Sequence, residues 1–247
     1  MSARRQAVVL AGGLATRMQP RTLATPKYLL PVAGRPFADW QLGRLSDSGF
    51  DEVLLSIGHL GERVRDHVGD GAHLGLRVRY VDEGDRRLGT GGALALAQAE
   101  GLLDERCLVT YGDSYLDFDY AAPLDLLARS PGRLGVMAVY RNEGRLEPSN
   151  VALSGDGLGV ARYQKGGERA GLDHIDHGAT ALLRSSLTLF AGRERFGLDE
   201  LQRELSARGE LGALVARERF HEIGSERGLA ELEAHLRSRV VAAGPKA

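Results

Sequence analysis

Arg17 and Lys27 are two cations in one short segment, which leaves an apolar run, Ala7-Val8-Val9-Leu10, and passes through Gly12-Gly13 and Thr16. The apolar run reads as a buried β-strand. Adjacent glycines let a chain turn sharply and lie close to a ligand, because no Cβ stands in the way. Free N–H groups in such a turn form a concave anion site. Arg17 adds a planar fork suited to phosphate oxygens, and Lys27 adds a second, more mobile charge. Strand, glycine turn, hydroxyl and two cations together describe a cradle for a polyphosphate. A glycine pair taken alone is ordinary turn punctuation. The segment also lacks the Gly-Lys-Ser/Thr ending of a P-loop and the third glycine of a dinucleotide fingerprint.

Further candidates lie downstream. Gly112-Asp113 directly follows a strand-like run, Arg106–Tyr111. A carboxylate there suits magnesium, which takes one or two protein carboxylates and completes its octahedron with phosphates and waters. The alternative is an Asp that caps a turn. Leu88-Gly-Thr-Gly-Gly-Ala93, after Glu83, is denser in glycine than a helix N-terminus needs, and would let a flat ring lie against backbone. His174, Asp176 and His177 could suggest zinc. Strand alternation sends Asp176 and His177 to opposite faces, and a structural zinc usually takes four ligands. His177 is therefore expected to line a pocket or pack, and not to act as a base.

The pattern Leu10-Ala11-Gly12-Gly13-x-x-Thr16-Arg17, then Pro20, Thr22, Pro26-Lys27, Leu30-Pro31 and Gly34-Arg35-Pro36, closely resembles the signature loop of the sugar-1-phosphate nucleotidyltransferases. The resemblance runs from Ala7 to about Leu236. It implies that Leu10, Ala11, Gly12, Gly13, Thr16 and Arg17 wrap a nucleoside triphosphate, Arg17 favouring pyrophosphate departure with Lys27 in the same site. It implies that Glu83, Gly89, Thr90 and Gly112 also belong to the nucleotide site, and that Asp113 binds Mg2+. A sugar 1-phosphate would be met by Lys165, Asn150, Asp176 and Gly178. The family's second metal ligand is the Asp of Asp-x-Gly-Thr; here Glu222-Ile-Gly224-Ser225 stands in its place, with Glu226 where a proline often follows. The spelling of the Leu88–Ala93 run looks most like the guanylyltransferase branches acting on mannose or heptose 1-phosphates, which implies GTP. Two other readings stay open. One is a glycosyltransferase holding its metal with Asp117 and Asp119, although Asp119 is first read as a helix cap. The other is a nucleotide-sensing module without turnover.

The elements that must position these groups alternate. Glu52–Ile57, Leu76–Val81, Arg106–Tyr111 and Leu134–Tyr140 read as strands. Helical spacing joins Ala38, Leu42 and Leu45, then Leu60, Val64 and Val68, then Ala93, Leu96 and Ala97. Pro36 should open the first of these helices. Such alternation marks βαβ units, whose ligands collect at the carboxyl ends of the strands. Short pieces at 150–153 and 159–163 read as antiparallel, Leu214–Phe220 as a late strand, and Leu229, Leu232, Leu236 and Val240 as one face of a closing helix. The expected fold class is α/β: a single Rossmann-like domain over 1–247, with a mostly parallel central sheet, helices on both faces and a small antiparallel excursion over the sugar side. Residues 1–140 would mainly bind nucleotide, 141–225 mainly sugar phosphate, and 226–247 form a closing helix and a frayed tail.

Composition narrows the classes. In 247 residues, Lys+Arg is 32 and Asp+Glu 33, a net charge of -1, which gives no case for a nucleic-acid surface. No apolar run approaches a membrane span. The lone Cys107, in a strand-like run, reads as an inert core thiol, and the N-terminus leaves no room for a signal peptide, so a cytoplasmic location is expected. A homo-oligomer is compatible with the sequence, which does not set its state.

Overall fold

The first strand, β1 (Gln6–Leu10), is buried throughout. Its side chains divide between two apolar clusters: Ala7 and Val9 enter one, Val8 and Leu10 the other. A strand buried on both faces needs cover on both, which is the demand a parallel α/β sheet meets. The computed structural model describes residues 4–142, 144–167 and 169–243.

After β1, three single 3₁₀ turns carry the chain to a small ribbon of β2 (Pro31–Val32) and β3 (Arg35–Pro36). Then come α1 (Phe37–Asp47), β4 (Glu52–Ile57), α2 (Gly61–Val68), β5 (Arg77–Asp82), α3 (Gly89–Ala99) and β6 (Arg106–Tyr111). The second half holds β7 (Ser114–Leu116), α4 (Ala122–Ala128), β8 (Gly135–Arg141), β9 (Val151–Leu153), β10 (Val160–Tyr163) and β11 (His174–Leu183). It ends with α5 (Leu198–Ala207), β12 (Leu211–Ala216), β13 (Phe220–Glu222) and α6 (Glu226–Ala243).

The main sheet runs β10-β9-β11-β6-β1-β4-β5, with β8 paired to β11 and β12 to β8. Strands β6, β1, β4 and β5 are mutually parallel, so their carboxyl ends lie along one edge. The antiparallel β11 joins this unit to β8, and β9 with β10 extends the sheet at its margin. This is the expected α/β architecture. Cys107 lies buried in β6, and burial pushes its thiol up to about 12, as an inert core thiol requires.

Three local expectations need correction. Pro36 precedes the first helix instead of opening it, because its extended ψ keeps it in the ribbon. Leu214–Phe220 is not one strand. The run starts earlier, at Leu211, breaks at the charged turn after Ala216, and resumes as β13 in a different sheet, paired with β7. The Gly89–Gly92 run, expected to lie open to a flat ring, is wound into the first turn of α3. Leu229, Leu232 and Leu236 are buried on one face of α6 as expected. The side chain of Val240 and the tail at 244–247 lie outside the described residues.

Candidate active site

The loop after β1 is held by backbone contacts. Ala11 N–H donates to the Ser56 carbonyl at 2.9 Å. Neither Gly12 nor Gly13 has a positive φ; the left-handed residue is Ala15, at φ 50. Its carbonyl accepts from Met18 N–H at 3.0 Å and from the Thr22 hydroxyl at 2.9 Å, so Thr22 braces the loop. The glycines serve close approach instead of the turn. A Cβ on Gly12 would displace the Glu83 carboxylate, whereas Gly13 faces open space. Gly112 also lies close against the loop: a Cβ there would stand 2.9 Å from Ala11 Cα and Cβ. Its N–H donates to the Leu10 carbonyl at 2.9 Å, which seats Asp113 beside the loop.

Four charged side chains from distant parts of the chain meet at this point. Lys27 Nζ donates to Asp113 Oδ2 at 2.6 Å. Arg17 Nη2 and Lys27 Nζ both reach Gly224, each 3.5 Å from where a Cβ would stand. Glu222 arrives through β13, which pairs it with Ser114, while Ile223 N–H donates to the Asp113 carbonyl at 2.9 Å. Burial first, and then the charges of Asp113 and Glu147, push the Glu222 carboxyl up to about 7 against the pull of Lys27 and Arg17. Among the described residues no hydrogen bond or ion pair satisfies that carboxylate.

Arg17, Lys27 and Asp113 line one cleft of about 890 Å³. So do Leu10, Ala11, Gly12, Gly13, Thr16, Glu83, Gly89, Thr90 and Gly112. The whole predicted nucleotide set is thus brought to one cavity at the carboxyl edge of β1, β4, β5 and β6. Glu83 is held there by Leu88 N–H, which donates to Oε2 at 3.1 Å; burial raises its pKa. The glycine run has a second purpose that sequence reasoning missed. Gly91 and Gly92 N–H donate to the Phe196 carbonyl at 3.0 and 3.1 Å, and a Cβ on either would collide with the 194–197 segment. The Thr90 hydroxyl accepts from Leu198 N–H at 2.7 Å at the start of α5. The glycine density therefore follows from packing against the 194–197 segment that leads into α5, with Gly89 and Thr90 also reaching the cleft.

The predicted sugar-phosphate residues form a separate cluster next door. Asp176 Oδ1 accepts from Gly178 N–H at 2.9 Å, and Gln202 Nε2 reaches Oδ2 at 3.4 Å. Asn150 Oδ1 accepts from Asp176 N–H at 2.8 Å. Burial lifts the Asp176 carboxyl to about 6, while Gly178 N–H, the Lys165 charge and Gln202 oppose the rise. Lys165, Asn150, Asp176, Gly178 and Glu222 do not themselves line the 890 Å³ cleft. Tyr111 connects the two regions: it lines the cleft, and its phenol is pushed up by burial first and then by Asp176. Tyr111, His59 and Arg87 are lining residues that no motif announced. Their common signal is position, since each follows or ends a parallel strand at the ligand-collecting edge.

The remaining candidates fall elsewhere. His177 is fully buried against Phe118, Tyr140 and Phe220, and its Nε2 donates to the Glu218 carbonyl at 2.8 Å, so it packs. Asp117 is paired with Arg239, His235 and Arg44. Asp119 Oδ1 accepts from Ala121 N–H at 2.9 Å in the turn before α4. Neither Asp lines the cleft.

Among the described residues there is no group of three or more side chains of metal-binding type. Magnesium in phosphate chemistry needs only one or two carboxylates. Asp113 beside the half-buried Glu222 fits that donor set.

Fold and cleft together define an α/β domain with a mostly parallel sheet and a ligand-sized cleft at the carboxyl edge of its parallel strands. The chain belongs to the family described as the MobA-like NTP transferase domain, whose model matches residues 7–221. It is 39% identical over 127 residues to the N-acetylmuramate alpha-1-phosphate uridylyltransferase of Neisseria meningitidis, covering 51% of this chain and 54% of that one. The chain thus matches about half the length of that relative. It is 26% identical over 219 residues to the D-glycero-alpha-D-manno-heptose 1-phosphate guanylyltransferase of Campylobacter jejuni, covering 89% and 94% of the two chains. The crystal structure of HddC from Yersinia pseudotuberculosis complexed with GMP-PN superposes with a TM-score of 0.77 at 22% identity, over 94% of this chain and 99% of that one. That last likeness speaks for the fold.

Proposed function

We propose that this protein transfers a nucleotidyl group from a nucleoside triphosphate to a sugar 1-phosphate, giving a nucleoside diphosphate sugar and pyrophosphate. One observation carries this reading: Arg17, Lys27, Asp113 and Glu222 converge at one end of a cleft lined by the glycine loop. A sugar phosphate oxygen attacks the α-phosphorus, and the bond to the bridging oxygen of the pyrophosphate breaks in line. The attacking sugar phosphate oxygen is already ionised near neutral pH, so no side-chain base is needed. The buried packing of His177 is consistent with this. The task left to the protein is alignment of two repelling anions and neutralisation of charge on the leaving group. Arg17 and the loop amides bind the departing phosphates, and Lys27 offsets charge beside them. Asp113 and Glu222 would hold magnesium, which when bound supplies positive charge to the phosphate oxygens. Lys165, Asn150, Asp176 and Gly178 hold the sugar phosphate, with Tyr111 at the boundary.

Within this reading, the part up to residue 140 serves the nucleotide, 141–225 the sugar phosphate, and α6 closes the fold. No helix among the described residues is long and apolar enough to cross a membrane, and the buried free thiol suits a reducing cytoplasm. For the base and sugar we favour GTP with a heptose or mannose 1-phosphate, supported by the Leu88–Ala93 spelling and the Campylobacter relative. The Neisseria relative supports UTP as the competing choice. The test is a matrix of four triphosphates against a panel of sugar 1-phosphates, read by pyrophosphate release. Turnover concentrated in GTP with manno-configured phosphates is expected. Turnover with UTP alone would replace the base, and no pyrophosphate with any pair would overturn the reaction.

A further inference from the structure

The acid best placed for a metal already holds a cation of the chain itself. Lys27 Nζ lies 2.6 Å from Asp113 Oδ2, with the Lys27 side chain 15% exposed and that of Asp113 30%. The other oxygen, Oδ1, has only a long contact from the Ser114 hydroxyl, at 3.4 Å. Glu222 stands alongside with no such partner. Arg17 Nη2 closes on the same spot near Gly224. A dication arriving alone must take Asp113 from Lys27 and leave that ammonium without a counter-ion, close to both the metal and Arg17. Like charges at such distances in a half-buried site are costly. A triphosphate removes the difficulty, because Lys27 lines the cleft and gains new anionic partners there.

We propose, resting on the reading of Asp113 and Glu222 as metal-holding residues, that Lys27 is a stand-in for the metal. It neutralises Asp113 in the empty cleft and passes to the phosphates when metal and nucleotide enter. Metal and triphosphate then favour each other's binding through Lys27, in addition to any direct bond between them. The chain is protected from loading metal without nucleotide.

The experiment uses Mn2+ alone, with no nucleotide, followed by the paramagnetic signal of the free ion. The proteins are wild type, Lys27→Met, Lys27→Gln and Asp113→Asn, each checked for its thermal transition. Wild type should bind weakly, and both lysine variants at least about ten-fold more tightly, within the usual range of coupling between sites. Asp113→Asn should lose binding. A second measurement needs only wild type. Acetylation of Lys27 by an amine reagent, quantified by mass spectrometry, should quicken several-fold as Mn2+ saturates. Unchanged or weaker Mn2+ binding in both lysine variants, with Asp113→Asn defective, overturns the stand-in while leaving the metal site intact. Acetylation that does not respond to Mn2+ overturns it too. Mn2+ binding untouched by Asp113→Asn overturns the metal site, and the stand-in with it.

Discussion

Gly112 lies directly against Ala11, so that a Cβ on Gly112 would stand 2.9 Å from Ala11 Cα and Cβ and 3.0 Å from the Leu10 carbonyl oxygen. Those neighbours are backbone atoms and the Cβ fixed to them, so none can swing aside. The contact therefore fixes how far Asp113 stands from the cradle. Gly112→Ala should push the two apart and lower stability by about 1–3 kcal/mol, measured by urea unfolding. Displacement of the acid by about 1 Å should cost turnover on the order of a hundred-fold. A folded variant with normal kcat would show that this closeness is not required.

Glu222 gives a pH dependence to metal binding. Its carboxyl is raised to about 7, by burial first and by Asp113 next, so in the metal-free chain it holds a proton below neutral pH. A metal must displace that proton. Mn2+ affinity should fall about ten-fold for each pH unit below 7, the slope of one competing proton. Glu222→Gln should bind more weakly and with a much flatter pH profile. An unchanged slope in that variant would assign the proton to another group.

Much of this arrangement could be read in advance, and the reasons differ by element. Apolar runs with polar borders placed β4 at Glu52–Ile57 and β6 at Arg106–Tyr111. The loop residues followed from being next to β1 in the chain. The meeting of Glu222 with Asp113 depends on pairing between two three-residue strands, β7 and β13. Strands that short carry no periodicity, and resemblance alone pointed to the pair. Gly91 and Gly92 were read as facing a ligand because their real neighbour, the carbonyl of Phe196, is distant in sequence. The break between β12 and β13 was hidden for the same reason: the partners β8 and β7 decide it.

Gln202 is fully buried on α5, where its Nε2 donates to the Thr180 hydroxyl at 3.0 Å and reaches Asp176 Oδ2 at 3.4 Å. It positions the acid expected to meet the sugar. Losing a hydrogen bond to a charged group costs about 1.5–3 kcal/mol. Gln202→Leu should raise KM for the sugar phosphate roughly ten-fold or more and leave KM for the triphosphate unchanged. Equal changes in both constants would indicate a general loss of structure.

His177 should matter for acid stability and not for turnover. Burial lowers its pKa to about 4, against an ordinary value near 6.5. The fold therefore holds the neutral ring. The contribution is fully present above pH 6.5 and is lost as pH falls toward 4, a change of about 3 kcal/mol. His177→Phe should lack that part of the acid-side slope in unfolding measurements while keeping kcat within a few-fold. A large fall in kcat with the fold intact would give the ring a part in proton transfer.

The most direct measurement is steady-state pyrophosphate release in magnesium by Asp113→Ala and Arg17→Ala beside wild type, with the best substrate pair. Groups that stabilise developing charge typically carry about a hundred- to a thousand-fold in turnover. Each variant should fall at least that far with its thermal transition retained. Near-normal turnover in either would contradict the central claim that the loop arginine and the acid at the end of β6 act on one bound nucleotide.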